Sequence, residues 1–145
     1  RILSNTEVIL KVAERSNEFI HCSEKPPPAG CPHEVNCSLE TTAWRLSLFQ
    51  SKDSTGANAI LVSQLVYLHD PETRSNVTVI SRKTDPDIMT DTVAIKPVTS
   101  GGKFDSSNLW VIEAKKLTRG GSIRWRKDHI RFRNLNTGKY LCYHR

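Results

Sequence analysis

One pattern restricts the fold of this chain more than any other: a strand, a turn-linked second strand and a Trp-led strand follow one another, and then the series restarts. Glu7-Val8-Ile9-Leu10-Lys11 leads to Phe19-Ile20-His21 and, after a long loop, to Trp44-Arg45-Leu46-Ser47-Leu48. Gln64-Leu65-Val66-Tyr67-Leu68 begins the second cycle, which continues through Val77-Thr78-Val79 to Trp110-Val111-Ile112-Glu113. A third cycle opens with His129-Ile130-Arg131-Phe132-Arg133 and reaches Tyr140-Leu141-Cys142, and its Trp-type strand is absent from the 145 residues. One such unit cannot bury its own apolar face. Repetition therefore predicts units packed about a shared pseudo-threefold centre.

Within each run the apolar residues alternate with polar ones, as at Val8, Leu10 and Val12 or Ile130 and Phe132, which is the period of half-buried strands. No stretch of a dozen residues keeps the three-and-four spacing of a helix, and turn residues interrupt the chain at short intervals. The fold class is all-β, and three equivalent units make it a β-trefoil. An antiparallel sandwich with Trp44 and Trp110 as ordinary core residues is the competing arrangement. Loops are expected over residues 24–35, 52–59, 82–92 and 99–107, where Pro, Gly, Asp and Ser gather. None is long enough to be a domain linker, so residues 1–145 read as one domain. The start on Arg1 and the stop on Arg145 after a strand-like run read as an excised piece of a larger protein. No apolar run approaches the roughly 20 residues of a membrane-spanning helix.

Charge is concentrated. Residues 101–145 hold eleven Lys and Arg against three Asp and Glu, more than the whole net charge of +6. Such clustering predicts an acidic or polyanionic partner. Ile123 and Trp125 alternate with Arg124 and Arg126, and Ile130 and Phe132 with Arg131 and Arg133. If the two runs pair as a hairpin, four arginines share its outer face. Facing like charges destabilise a sheet, so carboxylates of a neighbouring domain or subunit are the expected counterpart. Trp125 and Phe132 fall at inward positions of these runs, which argues against a base-stacking platform for nucleic acid.

Chemistry of other kinds finds little support. The five histidines are scattered without a GxSxG or HExxH motif, and Asp85, Asp87 and Asp91 crowd one turn-forming loop, so no enzyme is expected. His21 and His69 read as satisfied strand residues. Cys22, Cys31, Cys37 and Cys142 include no CxxC pair and are expected as reduced thiols. A zinc site from Cys22, Cys31, His33 and Cys37 has no common ligand spacing, and no metal or cofactor is expected. Asn36-Cys37-Ser38 and Asn76-Val77-Thr78 are formal glycosylation acceptors.

Three stretches resemble the MIR-type β-trefoil of inositol trisphosphate receptors and ryanodine receptors. The first is Gly30-Cys31 through Glu34-Val35-Asn36-Cys37 with Thr42-Ala43-Trp44-Arg45-Leu46, which favours the inositol trisphosphate receptors. The second is Leu109-Trp110-Val111-Ile112-Glu113 with Arg119-Gly120-Gly121. Most specific is Ile130-Arg131-Phe132-Arg133-Asn134-Leu135-Asn136-Thr137-Gly138-Lys139-Tyr140-Leu141. The resemblance implies the cytosolic face of the endoplasmic reticulum membrane and a tetrameric calcium-release channel. There the domain forms one wall of the inositol trisphosphate cleft and a helical domain forms the other. Lys96, Thr99, Ser100, Gly101, Gly102 and Lys103 take the place of a loop reading Arg-Thr-Thr-Gly-Arg in those receptors and become the expected phosphate contacts. Arg124, Arg126, Arg131 and Arg133 become the face that docks on neighbouring domains. A ryanodine receptor-type docking domain, or a polyanion- or glycan-binding MIR module of the secretory pathway, are the alternatives.

Overall fold

Short runs with apolar residues at every second position can hide one face only as strands, and strands dominate the computed structural model of the chain. It describes residues 1–13, 17–23, 33–49, 59–85, 88–98, 105–115, 121–124 and 128–142, the backbone alone for residues 82–85 and 89. In chain order the strands are β1 (Thr6–Val8), β2 (Phe19–Cys22), β3 (Val35–Ser38), β4 (Trp44–Leu48), β5 (Leu65–Asp70), β6 (Ser75–Asp85), β7 (Ile88–Pro97), β8 (Trp110–Ala114) and β9 (Ile130–Asn134). A single 3-10 turn, Ser106–Asn108, precedes β8.

All pairings of these strands are antiparallel and follow one scheme. Each Trp-led strand joins the first strand of its own cycle to the first strand of the next, so β4 lies between β1 and β5, and β8 between β5 and β9. The second and third strands of a cycle form a hairpin, β2 with β3 and β6 with β7. Registers coincide between cycles: Val8 faces Trp44 as Val66 faces Trp110. The indole N–H of Trp44 donates to the Ile20 carbonyl at 2.9 Å, and that of Trp110 to the Val77 carbonyl at 3.1 Å. A buried indole needs such an acceptor. The sequence repeat is thus a structural repeat.

Its axis is marked by three residues that sit ahead of the three cycles. Ile60 N donates to Ile2 O at 2.8 Å, Ile2 N to Ile123 O at 3.0 Å, and Ile123 N to Ile60 O at 3.3 Å, a closed ring of backbone bonds. All three isoleucine side chains are buried, in one core with Trp44, Leu46, Leu68, Trp110, Ile112 and Phe132. A sandwich has no such ring, so the β-trefoil reading holds.

Two expectations fail. Residues 82–92 are not a loop, because β6 and β7 run as one long ribbon in which Arg82 faces Thr90 and Lys83 faces Met89, with a register shift between Lys83 and Asp85. Pro86 and Asp87 lie outside the described residues, while the Val, Ile and Thr of both strands carry the pairing. Nor do the described residues of the run from Ile123 to Arg126 pair with β9. One edge of β9 pairs with β8 and the Phe132–Asn134 half of the other with the return through Lys139, Tyr140 and Leu141, while Ser122 bridges to Leu61 and Ile123 bonds Ile60 and Ile2.

Candidate functional site

Three of the arginines expected on one hairpin face, Arg124, Arg131 and Arg133, find a carboxylate inside the chain. Glu113 on β8 faces Arg131 across the β8–β9 ladder and lies diagonal to Arg133. Its carboxylate accepts from Arg131 Nε at 3.1 Å, from Arg133 Nε at 3.2 Å and from the Tyr140 hydroxyl at 3.1 Å. The Arg131 guanidinium also stands 4.3 Å from the centre of the Tyr140 ring, in cation–π range. Partial desolvation works against ionisation of Glu113, but the hydrogen bonds from Arg133, Tyr140 and Arg131 outweigh it and hold its carboxyl below the ordinary range. One acid therefore buffers two neighbouring cations.

Arg124 is likewise engaged locally. Its Nη2 lies 3.0 Å from Asp128 Oδ1, its backbone N–H donates to Oδ2 at 2.8 Å, and the hydrogen bond to Asp128 raises its already high pKa. Arg126 lies outside the described residues. Arg124, Arg131 and Arg133 thus each have a carboxylate of the chain's own beside them, although the last third remains strongly cationic. The sequence reading missed this because Glu113 and Asp128 become partners only through strand register and turn geometry.

The phosphate-loop residues divide in the same way. Lys96, near the end of β7, faces Asn76, and its exposed ammonium lies 3.8 Å from Asp105 Oδ2. Asp105 also caps the 3-10 turn by accepting from Ser107 N at 2.9 Å. Lys96 and Asp105 therefore frame the segment 99–104 at its two ends. Thr99, Ser100, Gly101, Gly102 and Lys103 lie outside the described residues. Val98 N bonds to Arg74 O at 3.0 Å, which places the start of the segment beside the β5–β6 turn and its Arg74 backbone.

The remaining candidates are strand furniture. His21 Nδ1 is 3.1 Å from Asn36 Oδ1, and His69 Nδ1 is 3.0 Å from Asn76 Oδ1. Asn76 and Thr78 are buried in β6, so the second glycosylation acceptor is inaccessible in the folded chain, whereas Asn36 is exposed on β3. Cys37 and Cys142 are free thiols, and burial followed by the nearby Glu18 charge pushes the Cys37 thiol up. Cys31, one arm of the conceivable zinc site, lies outside the described residues. Among the described residues no cluster of three His, Cys, Asp or Glu side chains is placed to hold a metal, and no helix is long and apolar enough to cross a membrane.

The threefold ring, the paired hairpins and the Trp-anchored strands define a β-trefoil, and its likeness to known proteins supports an MIR-type module. In sequence it is inositol trisphosphate receptor-like: it is 29% identical over 115 residues to the Caenorhabditis elegans inositol 1,4,5-trisphosphate receptor itr-1, a stretch covering 74% of this chain. The chain spans only 4% of that receptor's length. Its fold is similar to the SDF2-like protein of Arabidopsis thaliana, with a TM-score of 0.69 and 13% identity over 99% of this chain and 78% of that one. It is also similar to the Saccharomyces cerevisiae protein O-mannosyltransferase Pmt1-Pmt2 complex bound to the sugar donor, with a TM-score of 0.68 and 18% identity over 97% of this chain and 21% of that one. No family model matches the chain.

Proposed function

We propose that this module is the β-trefoil part of the ligand-binding region of an inositol trisphosphate-gated calcium-release channel, on the cytosolic face of the endoplasmic reticulum membrane. It acts by binding and domain docking, without catalysis. The observation that carries the reading is the sequence likeness to a receptor so named, which extends over 115 residues rather than one motif. Lys96, Thr99, Ser100, Gly101, Gly102 and Lys103 are the phosphate contacts. A Gly-containing segment with cations at its ends gives phosphate both N–H donors and charge. Lys96 exchanges its Asp105 partner for phosphate when ligand enters. The other wall of the cleft comes from a helical domain. Docking uses the flank of Arg124, Arg126, Arg131 and Arg133, where interleaved Glu113 and Asp128 select a partner with both signs of charge rather than a plain polyanion.

Calorimetric titration of inositol 1,4,5-trisphosphate into the full-length protein carrying these residues tests the reading. Lys103→Glu is expected to weaken binding roughly tenfold or more, as loss of one phosphate cation with reversal of its sign implies. An unchanged affinity removes the segment from the site, and no saturable binding by the parent protein removes the ligand. Glycan mass at the exposed Asn36 would instead place the module in the secretory pathway.

A further inference from the structure

Strands β5 and β9 end in turns of one design. Asp70 closes β5, and its Oδ1 accepts from Glu72 N at 3.1 Å; Asn134 closes β9, and its Oδ1 accepts from Asn136 N at 3.1 Å. Further along each turn stands a residue with left-handed backbone, Arg74 with φ of +54° and Gly138 with φ of +70°. The turns differ in what the first side chain can still offer. A carboxylate only accepts, whereas an amide keeps the acceptor for the turn and adds a donor. Asn134 directs that donor outside its own turn, to Ser107 O at 2.9 Å.

Other bonds from the β9 turn fall on the two flanks of segment 99–104. Leu135 N donates to Leu109 O at 2.9 Å and Ser106 Oγ to Asn136 Oδ1 at 3.3 Å, so the 3-10 turn after the segment is held by Asn134, Leu135 and Asn136. On the flank before the segment, Lys139 Nζ lies 2.6 Å from Asp91 Oδ2 on β7, and Asp91 Oδ1 accepts from Ser81 Oγ on β6. The 3-10 turn is capped by Asp105, whose Oδ2 faces the Lys96 ammonium at 3.8 Å. None of the side-chain ties closes the β9 turn itself. That is done by the Asn134 acceptor, with Asn136 N and Thr137 N, and by Gly138 N on Asn134 O at 2.9 Å.

We propose that the β9 turn, residues 134–139, positions the phosphate-binding segment: it fixes β7 before the segment and the 3-10 turn after it, so that Lys96 and Asp105 stand at set places before ligand enters. Asn136 and Lys139 are positioning residues, acting through Ser106 and Asp91. The inference deepens the ligand reading above and rests on it. A segment with fixed flanks has less ordering left to lose when phosphate binds, and that difference is read as affinity.

The test is calorimetric titration of inositol 1,4,5-trisphosphate into the full-length protein and its Asn136→Ala and Asp91→Ala variants, with amide exchange read over residues 92–98 and 105–109 in the absence of ligand. Each variant is expected to speed exchange on its own flank, Asp91→Ala over 92–98 and Asn136→Ala over 105–109. Each should weaken binding roughly threefold to tenfold, as loss of one ordering hydrogen bond implies. Asp91→Ala separates positioning from plain electrostatics by sign, because removing a negative charge would by itself tighten the binding of a phosphate. Lys139→Arg keeps the cation opposite Asp91 and is expected to restore parent affinity where Lys139→Met loses it. Parent-like affinity in either alanine variant, tighter binding by Asp91→Ala, or unchanged exchange over both flanks overturns the positioning role. If exchange speeds in the variants but the parent protein itself binds no inositol trisphosphate, it is the ligand reading that has failed, and the positioning role falls with it.

Discussion

At the scale of single residues, the structure assigns importance to side chains with no charge to advertise them. Asn134 closes β9 fully buried, its Oδ1 accepting from Asn136 N and Thr137 N at 3.1 Å each, and its Nδ2 donating to Ser107 O at 2.9 Å. Gly138, with φ of +70°, then lets the chain reverse, and a Cβ there would meet nothing within 4 Å. The two positions should therefore fail differently. Asn134→Ala strands buried donors and acceptors and is expected to cost about 2–4 kcal/mol, whereas Gly138→Ala meets only backbone strain of about 1–2 kcal/mol. Urea unfolding of both variants checks the order, and a Gly138→Ala loss as large as that of Asn134→Ala contradicts the assignment. The Thr-Gly turn was legible in the sequence because Gly punctuates it. The role of Asn134 was not, because its partner Ser107 is remote in the chain and reached only through the β8–β9 ladder.

At the scale of elements, strand existence was legible and strand partnership was not. Alternation located the cores of β1, β4, β5 and β9 and the Trp-led repeat that of β8, yet neither says which edge each strand meets. The alternation of the arginine runs admits their pairing as a hairpin for that reason, whereas β9 lies against β8. The same ladder makes a prediction about acid. The folded Glu113 carboxyl is held below its ordinary value by Arg133, Tyr140 and Arg131, so its contribution is complete above the unfolded value of about 4.3 and is lost as pH falls through the lower folded value. Glu113→Gln should lower the unfolding free energy measured in urea at pH 7 by about 1 kcal/mol or less, because Arg131 and Arg133 are substantially exposed. It should also flatten part of the stability loss seen below pH 4. Asp91 shares that acid range, since hydrogen bonds from Lys139 and then Ser81 lower its pKa as well, so the difference between parent and variant isolates Glu113. A constant gap between the two curves from pH 7 to pH 3 would show that the carboxylate charge is not what stabilises the ladder.

At the scale of the molecule, what ties the cycles together is the small ring at the axis rather than the long ribbon that dominates the outline. Trp-led strands made the repeat legible in sequence, but Ile2, Ile60 and Ile123 did not, since each is one residue in unlike surroundings and their common role exists only once three segments converge. The ring couples the cycles in two ways: each isoleucine bonds the next through the backbone and fills the shared core with its side chain. Unfolding of one cycle therefore removes a bond and packing from both others, which predicts a single cooperative transition rather than stepwise loss. Ile60→Ala, at a fully buried position, is expected to cost about 2–5 kcal/mol. It should lower the midpoint equally whether unfolding is followed by Trp fluorescence or by amide exchange of β1 and β8 read separately. Were β8 to lose protection while β1 kept it, the cycles would be independent, and the ring would be a consequence of their packing rather than its coupling element.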